Sequence, residues 1–383
     1  MKFLKKISKY EKTIIVLSDL HLGAGQYIDG KRNPLEDFHF DKELVNLFEY
    51  FSSGDYENAQ VEIVFNGDFL DFLSTPFIQC FDDEFWSEES AVQKLSLIRK
   101  AHPEVFIAMN NFVKVKNKKI VYVIGNHDAE IILPAVQEKF LSYFSVDVHQ
   151  NIVLPEDDDR YIPLPGIHIM HGHQFERAHY FKMKEAILVQ EGKRYIRPTW
   201  GSYYCNHILN KYKIERDFIN QIHPIRNFLI HGMLYDTFFT LRFILANIYY
   251  FVMVRFWPTH LFRLNFKKIA NDLKEELILF QNYAQITRNY FKKNKDAKYL
   301  LVGHTHQPMV QSFQDETVFI NTGTWCKMIS LDFSNLFTGH YLTFAMINAK
   351  KTHYPIEEIN HHLQVNLFSW KGDQSLPFES QPF

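Results

Sequence analysis

Cysteine is scarce in this chain: Cys80, Cys205 and Cys326 stand far apart, and no C-x-x-C pair occurs. Thiol-based zinc or redox chemistry is therefore not expected, and a reducing cytoplasm is the simplest setting. A strong charge of either sign is also missing, because 42 Lys and Arg against 44 Asp and Glu leave a formal net charge of −2. No global field draws the chain to nucleic acid or to an anionic membrane, so any such attraction has to be local. A long apolar run of the kind that opens a signal peptide is absent too. The basic start, Lys2, Lys5, Lys6, Lys9 and Lys12, is followed only by Thr13–Leu17 before Asp19 and His21. Too short for a signal core, that run reads as a strand, and the lysines as a solvated lead-in that touches lipid head groups at most. No internal repeat or low-complexity tract is evident.

What the sequence does hold is an ordinary globular composition, 46% hydrophobic and 22% charged over 383 residues. That length suits two or three folding units, or one catalytic domain with a long insertion. Short β-rich runs stand at Thr13–Ser18, Val61–Asn66, Ile120–Ile124, Ile167–Met170, Tyr299–Val302 and Val318–Asn321, each closed by Gly, Asp, Asn or His. Helical stretches over Lys42–Phe51 and Ala91–Val115 separate the early strands, so the order reads as α/β with strand ends feeding polar loops. Ligands gather at such ends. Residues 174–296 differ, being aromatic-rich with helical spacing and no lasting alternation. They read as an inserted helical subdomain between two parts of a core, 1–173 and 297–383. Within them Phe228–Val254 raises the question of a membrane span, but Asp236 and Arg242 interrupt it on different helical faces. A buried or interfacial helix is expected instead.

Polar blocks follow the strands. In Asp19-Leu20-His21 a two-residue step on extended backbone turns both side chains to one side, where a carboxylate and an imidazole can share a metal. His304-Thr305-His306 repeats that step, and imidazoles are favoured ligands for zinc, iron and manganese. Asn66-Gly67-Asp68 and Gly125-Asn126-His127-Asp128 close two further strands. A carboxylate there can bridge two cations, and an Asn oxygen can ligate one without adding charge. The glycines let the backbone turn sharply and come close to ions. His171-Gly172-His173 is the fifth block, in which only one histidine need be a ligand. Each block alone is explained as well by a polar turn or a satisfied histidine; the set points to a metal centre.

In order, Asp19-Leu20-His21, Gly67-Asp68-Phe69-Leu70-Asp71, Gly125-Asn126-His127-Asp128, His171-Gly172 and Gly303-His304-Thr305-His306 resemble the five signature blocks of the calcineurin-like metallophosphoesterase superfamily. The resemblance implies a two-sheet sandwich flanked by helices, with two divalent ions at the strand ends. It implies that Asp19, His21, Asp68 and His306 hold one ion and Asp68, Asn126, His171 and His304 the other, Asp68 bridging. Mn²⁺ is the expected metal, with iron or zinc as alternatives. By the same resemblance His127 is a catalytic group that donates to the phosphate or protonates the leaving oxygen, Asp128 orients its ring, and Asp71 supports the ligands from behind. Two ions about 3.5–4 Å apart turn a bridging water into hydroxide at neutral pH and clamp the phosphoryl oxygens for in-line attack.

Asp71 is followed by Phe72-Leu73 where the superfamily's phosphoprotein phosphatases carry Arg-Gly, so a serine/threonine phosphatase is not expected. Ser18 to Gly23, His171-Gly172-His173 and Gly303 to Pro308 are similar to bacterial UDP-2,3-diacylglucosamine hydrolases, although His127 and His173 stand where those enzymes often carry Arg and Asp. This implies hydrolysis of a phosphoester or pyrophosphate bond in an amphiphilic, nucleotide-linked lipid, by a cytoplasmic protein associated peripherally with the inner membrane. A soluble phosphodiesterase for nucleotides or nucleic acid and a non-catalytic scaffold are the alternatives, nucleic acid being disfavoured by the weak charge. Phe238, Phe239, Phe243, Tyr249, Tyr250 and Trp257 would line an acyl groove, lie at a bilayer surface, or form the insertion's own core. Arg177, Arg194 and Arg197 are candidates to grip a diphosphate, since the guanidinium fork matches phosphate oxygens. Asn321-Thr322-Gly323-Thr324-Trp325 resembles the loop that supports the superfamily's metal-site strands, and Phe337–Lys350 reads as further strand.

Overall fold

Strand β1, Lys12–Leu17, ends in the unbroken apolar run Ile14–Leu17. Such a run is stable only where a sheet is covered on both faces. A computed structural model, which describes residues 10–76, 82–223, 225–256, 283–330, 342–372 and 375–377, shows that cover. Ile14 and Val16 pack toward a second sheet, while Ile15 and Leu17 pack toward helices, and all four are fully buried. Lys2, Lys5, Lys6, Lys9, Cys80, Trp257 and the first part of the Phe337–Lys350 run lie outside the described residues.

The parallel neighbours of β1 are β2, Gln60–Asn66, then β3, Lys118–Val123, then β4, Ile152–Val153. The second sheet centres on β5, Arg160–Leu164, β6, Ile167–Met170, β7, Tyr299–Val302, β8, Met309–Ser312, and β9, Val318–Asn321. Its order is β8-β9-β7-β6-β5, with β7 parallel to both β6 and β9. Three more strands, β10, Leu342–Ala349, β11, Leu363–Trp370, and β12, Ser375–Pro377, continue the first sheet antiparallel beyond β1. The two-sheet sandwich flanked by helices is therefore present, and the six strands expected from the sequence form within a few residues of their expected ends.

Helices α1, Asp41–Ser52, α2, Glu88–Ala101, α3, Pro103–Lys114, and α4, Pro134–Leu141, cover the outer face of the first sheet. The single helix expected over Ala91–Val115 is thus two helices. Pro103 has no N–H to continue a ladder and biases His102 away from helical backbone, yet suits the first turn of a new helix.

Residues 174–296 are not wholly helical. A hairpin of Ile187–Gln190 and Lys193–Ile196 lies against the start of α2 through a bridge between Ser87 and Tyr195. Its strands are too short for alternation to show in sequence. Helices α5, Ile225–Tyr235, and α6, Thr237–Phe256, then pack on each other, with α7, Tyr283–Lys293, further along the chain. Helical spacing divides the α6 aromatics: Phe239, Phe243 and Tyr250 are buried, whereas Phe238 and Tyr249 are 75% and 66% exposed. They are therefore two populations, not one groove lining. No helix among the described residues is long and apolar enough to cross a membrane. The division predicts that Phe243→Ala loses about 3–5 kcal/mol of stability. Phe238→Ala should change it by less than about 0.5 kcal/mol. Chemical denaturation of the two variants checks this, and equal losses would reverse the assignment of faces.

Candidate metal centre

Every residue of the expected ligand set lies just past a strand end. Asp19 and His21 follow β1, Asp68 follows β2, Asn126 follows β3, His171 directly follows β6, and His304 and His306 follow β7. Because β1, β2 and β3 run parallel, as do β6 and β7, these ends open on one edge of the sandwich. The loops after β1 and β2 are stitched together: Asp19 N–H donates to Gly67 O, and His21 N–H to Asp68 O, at 3.1 and 2.9 Å.

Extended backbone is not what aims these side chains. Asp19, His21, Asp68, His304 and His306 all have positive φ, between 52° and 68°. Left-handed backbone costs a non-glycine residue about 1–3 kcal/mol and clusters at functional sites. The expected period-two step is thus replaced by successive left-handed turns, and it does not bring His304 and His306 onto one partner. His306 joins Asp19 and His21, whereas His304 joins Asp68 and His171; each trio has its ligand atoms within 4.8 Å of one another.

The donors suit a cation. His171 Nδ1 donates to Asn66 O at 2.9 Å, so Nε2 is turned toward Asp68 Oδ2 and Asn126 Oδ1, each 3.2 Å away. Burial lowers the pKa of His171, but Asp68 and Asp19 more than reverse this and raise it to about 9. A proton there fills the place that a metal ion takes with proton release. His21 Nε2 similarly faces His306 Nε2 at 3.2 Å, and His306 Nε2 stands 3.3 Å from Asp19 Oδ1. Close approach of the strands makes this crowding attainable. A Cβ on Gly125 would lie 2.1 Å from Asp68 Oδ1, and one on Gly303 would lie 2.2 Å from Asp19 Oδ2.

His127 stands beside this cluster with its backbone N–H on Asp68 Oδ1 at 2.8 Å and its Nδ1 on Asp71 Oδ1 at 3.1 Å. The ring is therefore oriented by Asp71, not by its neighbour Asp128. Asp128 is committed elsewhere, accepting from Tyr122 Oη at 2.7 Å, Phe69 N at 3.0 Å and Gly125 N at 2.7 Å. Burial and the Asp68 charge push the Asp128 carboxyl up to about 7. Asp71 also reaches His21 Nδ1 at 3.4 Å, so one carboxylate serves two imidazoles, and His21, Asp71 and His127 form a third group with ligand atoms within 4.8 Å of one another. Burial pushes the Asp71 carboxyl up, but His127 and His21 outweigh it and hold it well below the usual carboxylate range. Conversely, burial would lower the His127 pKa, while Asp71 and Asp68 raise it well above its ordinary value.

The loop after β9 explains its likeness to a supporting loop. Thr324 Oγ1 donates to Asp19 O at 2.6 Å, and Asn321 Nδ2 donates to Gly303 O and to Thr305 Oγ1 at 2.8 and 2.9 Å. His173 is not with the ligands: it is buried and stacked on Phe181 at 4.8 Å between ring centroids. Arg194 pairs with Glu88 at 3.1 Å, away from the ligand trios, and Arg177 and Arg197 are exposed. Two site residues were missed in the sequence. Glu176 carries a carboxylate bonded to His304 Nε2, and His179 Nδ1 accepts from Asn126 Nδ2 at 3.2 Å. Their only sequence signal is an i, i+3 spacing on the chain leaving the His171 block.

The profile of calcineurin-like phosphoesterases matches residues 12–308, which holds all seven ligand candidates. The chain belongs to the calcineurin-like phosphoesterase family. Membership supports a metal-dependent phosphoesterase and hydrolase chemistry in general, and the Asp and His trios are groups that could hold the family's divalent metals. Among curated proteins none matches. Among solved structures, vacuolar protein sorting 29 from Cryptosporidium parvum is 12% identical, with 96% of this chain and 95% of that one covered and a TM-score of 0.31. A dimetal phosphatase from Danio rerio is 11% identical, with 88% and 93% covered and a TM-score of 0.35. An archaeal phosphodiesterase is 11% identical, with 92% and 99% covered and a TM-score of 0.31.

The Gly125 contact yields a test of the family site. Gly125→Ala forces Asp68 aside, and overpacking of this kind costs about 1–3 kcal/mol. Metal analysis after Mn²⁺ loading should find less ion per chain than in the wild type. Full metal content would show that this contact does not set the position of Asp68.

Proposed function

We propose that this protein is a dinuclear phosphoesterase that cleaves a phosphoester or pyrophosphate bond, with Mn²⁺ as its working metal. Asp19, His21, Asp68 and His306 would hold one ion and Asp68, Asn126, His171 and His304 the other, Asp68 bridging. Bound there, the ions would polarise the phosphoryl group and supply a nucleophile at neutral pH. The observation that carries catalysis over a passive scaffold is His127. It is an imidazole beside the ligand candidates, fixed at Nδ1 by Asp71 at 3.1 Å, and Asp71 and Asp68 favour its protonated form against burial. A scaffold has no use for such a group, whereas an oriented acid contributes about 10²–10⁴ in rate by protonating a leaving oxygen.

The test separates acid from ligand. His127→Ala should keep both ions and lose about 10²-fold or more in kcat, least for aryl phosphodiesters with good leaving groups. Asp68→Ala should lose metal and activity together. Metal analysis with a hydrolysis screen in Mn²⁺ checks this, using UDP-diacylglucosamine, nucleotide diphosphosugars, cyclic nucleotides and an aryl phosphodiester. A wild type with two ions and no turnover on any of them would favour the scaffold.

A second reading concerns the substrate, and a specific surface favours it. The outer faces of α5 and α6 expose Leu234, Phe238, Leu241, Leu245, Ile248 and Tyr249, each between 47% and 75% accessible. Contiguous apolar surface of this kind marks binding to proteins, ligands or membranes. We take residues 174–296 as an insertion that rests this face on a bilayer and admits an amphiphilic phosphate substrate such as UDP-2,3-diacylglucosamine, from the cytoplasmic side. Phe238→Ser with Tyr249→Ser should then raise KM for a diacylated substrate severalfold and leave an aryl phosphodiester unchanged, because remote apolar contacts act on binding. Unchanged KM for both would remove the lipid reading and leave the phosphoesterase standing.

A further inference from the structure

Two contacts reach the ligand set from the chain that leaves the His171 block, and both fall on ligands of the same ion. The turn His173–Phe175 leads into Glu176, whose carbonyl accepts from His179 N–H at 3.1 Å and Tyr180 N–H at 2.8 Å. That turn sets the Glu176 and His179 side chains on one side of the chain, facing the strand ends. The Glu176 carboxylate, 27% exposed, accepts from His304 Nε2. With Nε2 committed as donor, Nδ1 is the ring nitrogen left to offer a lone pair to a cation.

His179 acts on the other ligand. Its Nδ1 accepts from the Asn126 amide nitrogen, so Asn126 Oδ1 is left to face the cluster beside His171 Nε2. An Asn amide has two orientations of nearly equal shape, and only one of them offers oxygen to a cation. The His179 ring keeps its place because Gly201 has no side chain: a Cβ there would lie 2.2 Å from His179 Cε1. The other trio has a different support. His21 is held by Asp71, a core residue, and Asp19 accepts from His304 N–H at 2.9 Å.

We infer that Glu176 and His179 are positioning residues for the second ion alone, fixing the His304 tautomer and the Asn126 amide so that this chain sets the affinity of one metal site of the pair. The inference rests on the dinuclear reading. Carboxylates behind a ligating histidine orient the ring and raise its basicity, and losing such a partner costs about 10–100-fold in metal affinity.

The experiment is titration of the full-length, metal-stripped protein with Mn²⁺ by calorimetry, with spin resonance reporting coupling between ions. Wild type should bind two equivalents. Glu176→Gln, close in shape, should weaken the second equivalent about 10–100-fold and leave the first within about twofold. His179→Ala and Gly201→Ala should weaken the same equivalent, and Glu176→Asp should recover part of the loss. Thermal melts of the metal-free proteins should agree for wild type and Glu176→Gln, which separates positioning from folding. Equal weakening of both equivalents, or no weakening of either, overturns the inference and leaves the dinuclear reading in place. A wild type that binds one ion overturns both.

Discussion

The structure turns on the Asp68 carboxylate, a fully buried charge among imidazoles. Burial alone would neutralise it, but His171 and His127 hold its pKa well below the ordinary carboxylate value. One oxygen takes the His127 backbone N–H, and the other faces His171 Nε2. A buried charge survives only when paired and hydrogen-bonded. Everything near it meets that demand: β2 ends two residues earlier, β3 delivers the His127 amide, and β6 delivers His171 from the other sheet. The two sheets are thus joined at their open edge through one acidic side chain as well as through the apolar layer of Ile14, Val16, Val64, Val121, Ile167, Ile169 and Leu301.

That junction is built against local preference. Five of the seven ligand candidates occupy left-handed backbone, and a glycine stands wherever one strand end presses on another's ligand. Each strained residue works against folding, so the surrounding apolar layers must offset it, which fits a core that covers both faces of β1 and β2. The directions of the ligand candidates are set by this backbone conformation and by neighbours such as Thr324 and Asn321, whose hydrogen bonds hold the Asp19 and Gly303 carbonyls.

Legibility in the sequence followed the physics of each element. Strands buried on both faces are written as largely apolar runs ending in polar blocks, so their positions, and the candidate ligands at their ends, are legible directly. The break at Pro103 was equally visible but was overridden by the helical period on either side. The Ile187–Ile196 hairpin leaves no trace because its strands are short and only Ile196 in them is buried. Asp128, adjacent to His127, was the natural guess for the group that orients it; in three dimensions its oxygens are taken by Tyr122 and backbone amides, and Asp71, remote in sequence, faces the ring. Glu176 and His179 were illegible for a related reason. Nothing in a linear pattern says which ligand a side chain on a returning loop will meet.

The segment that follows His171 therefore has two ends with different chemistry. Its first residues touch ligands of one metal trio, and its helices α5 and α6 carry the apolar outer face. Between them the segment is anchored to the core by the buried Lys213–Asp37 pair at 2.7 Å and by Asn210 donating to Leu73 O at 2.8 Å. Lys213 also reaches Leu35 O at 3.1 Å, so its buried charge is paired and hydrogen-bonded, and removing either partner would leave a buried charge uncompensated. Such anchoring matters because a cover that drifted would carry Glu176 and His179 with it, loosening His304 and Asn126 at the same time. Breaking the Lys213–Asp37 pair would therefore be felt at His304 and Asn126, although neither Lys213 nor Asp37 touches them.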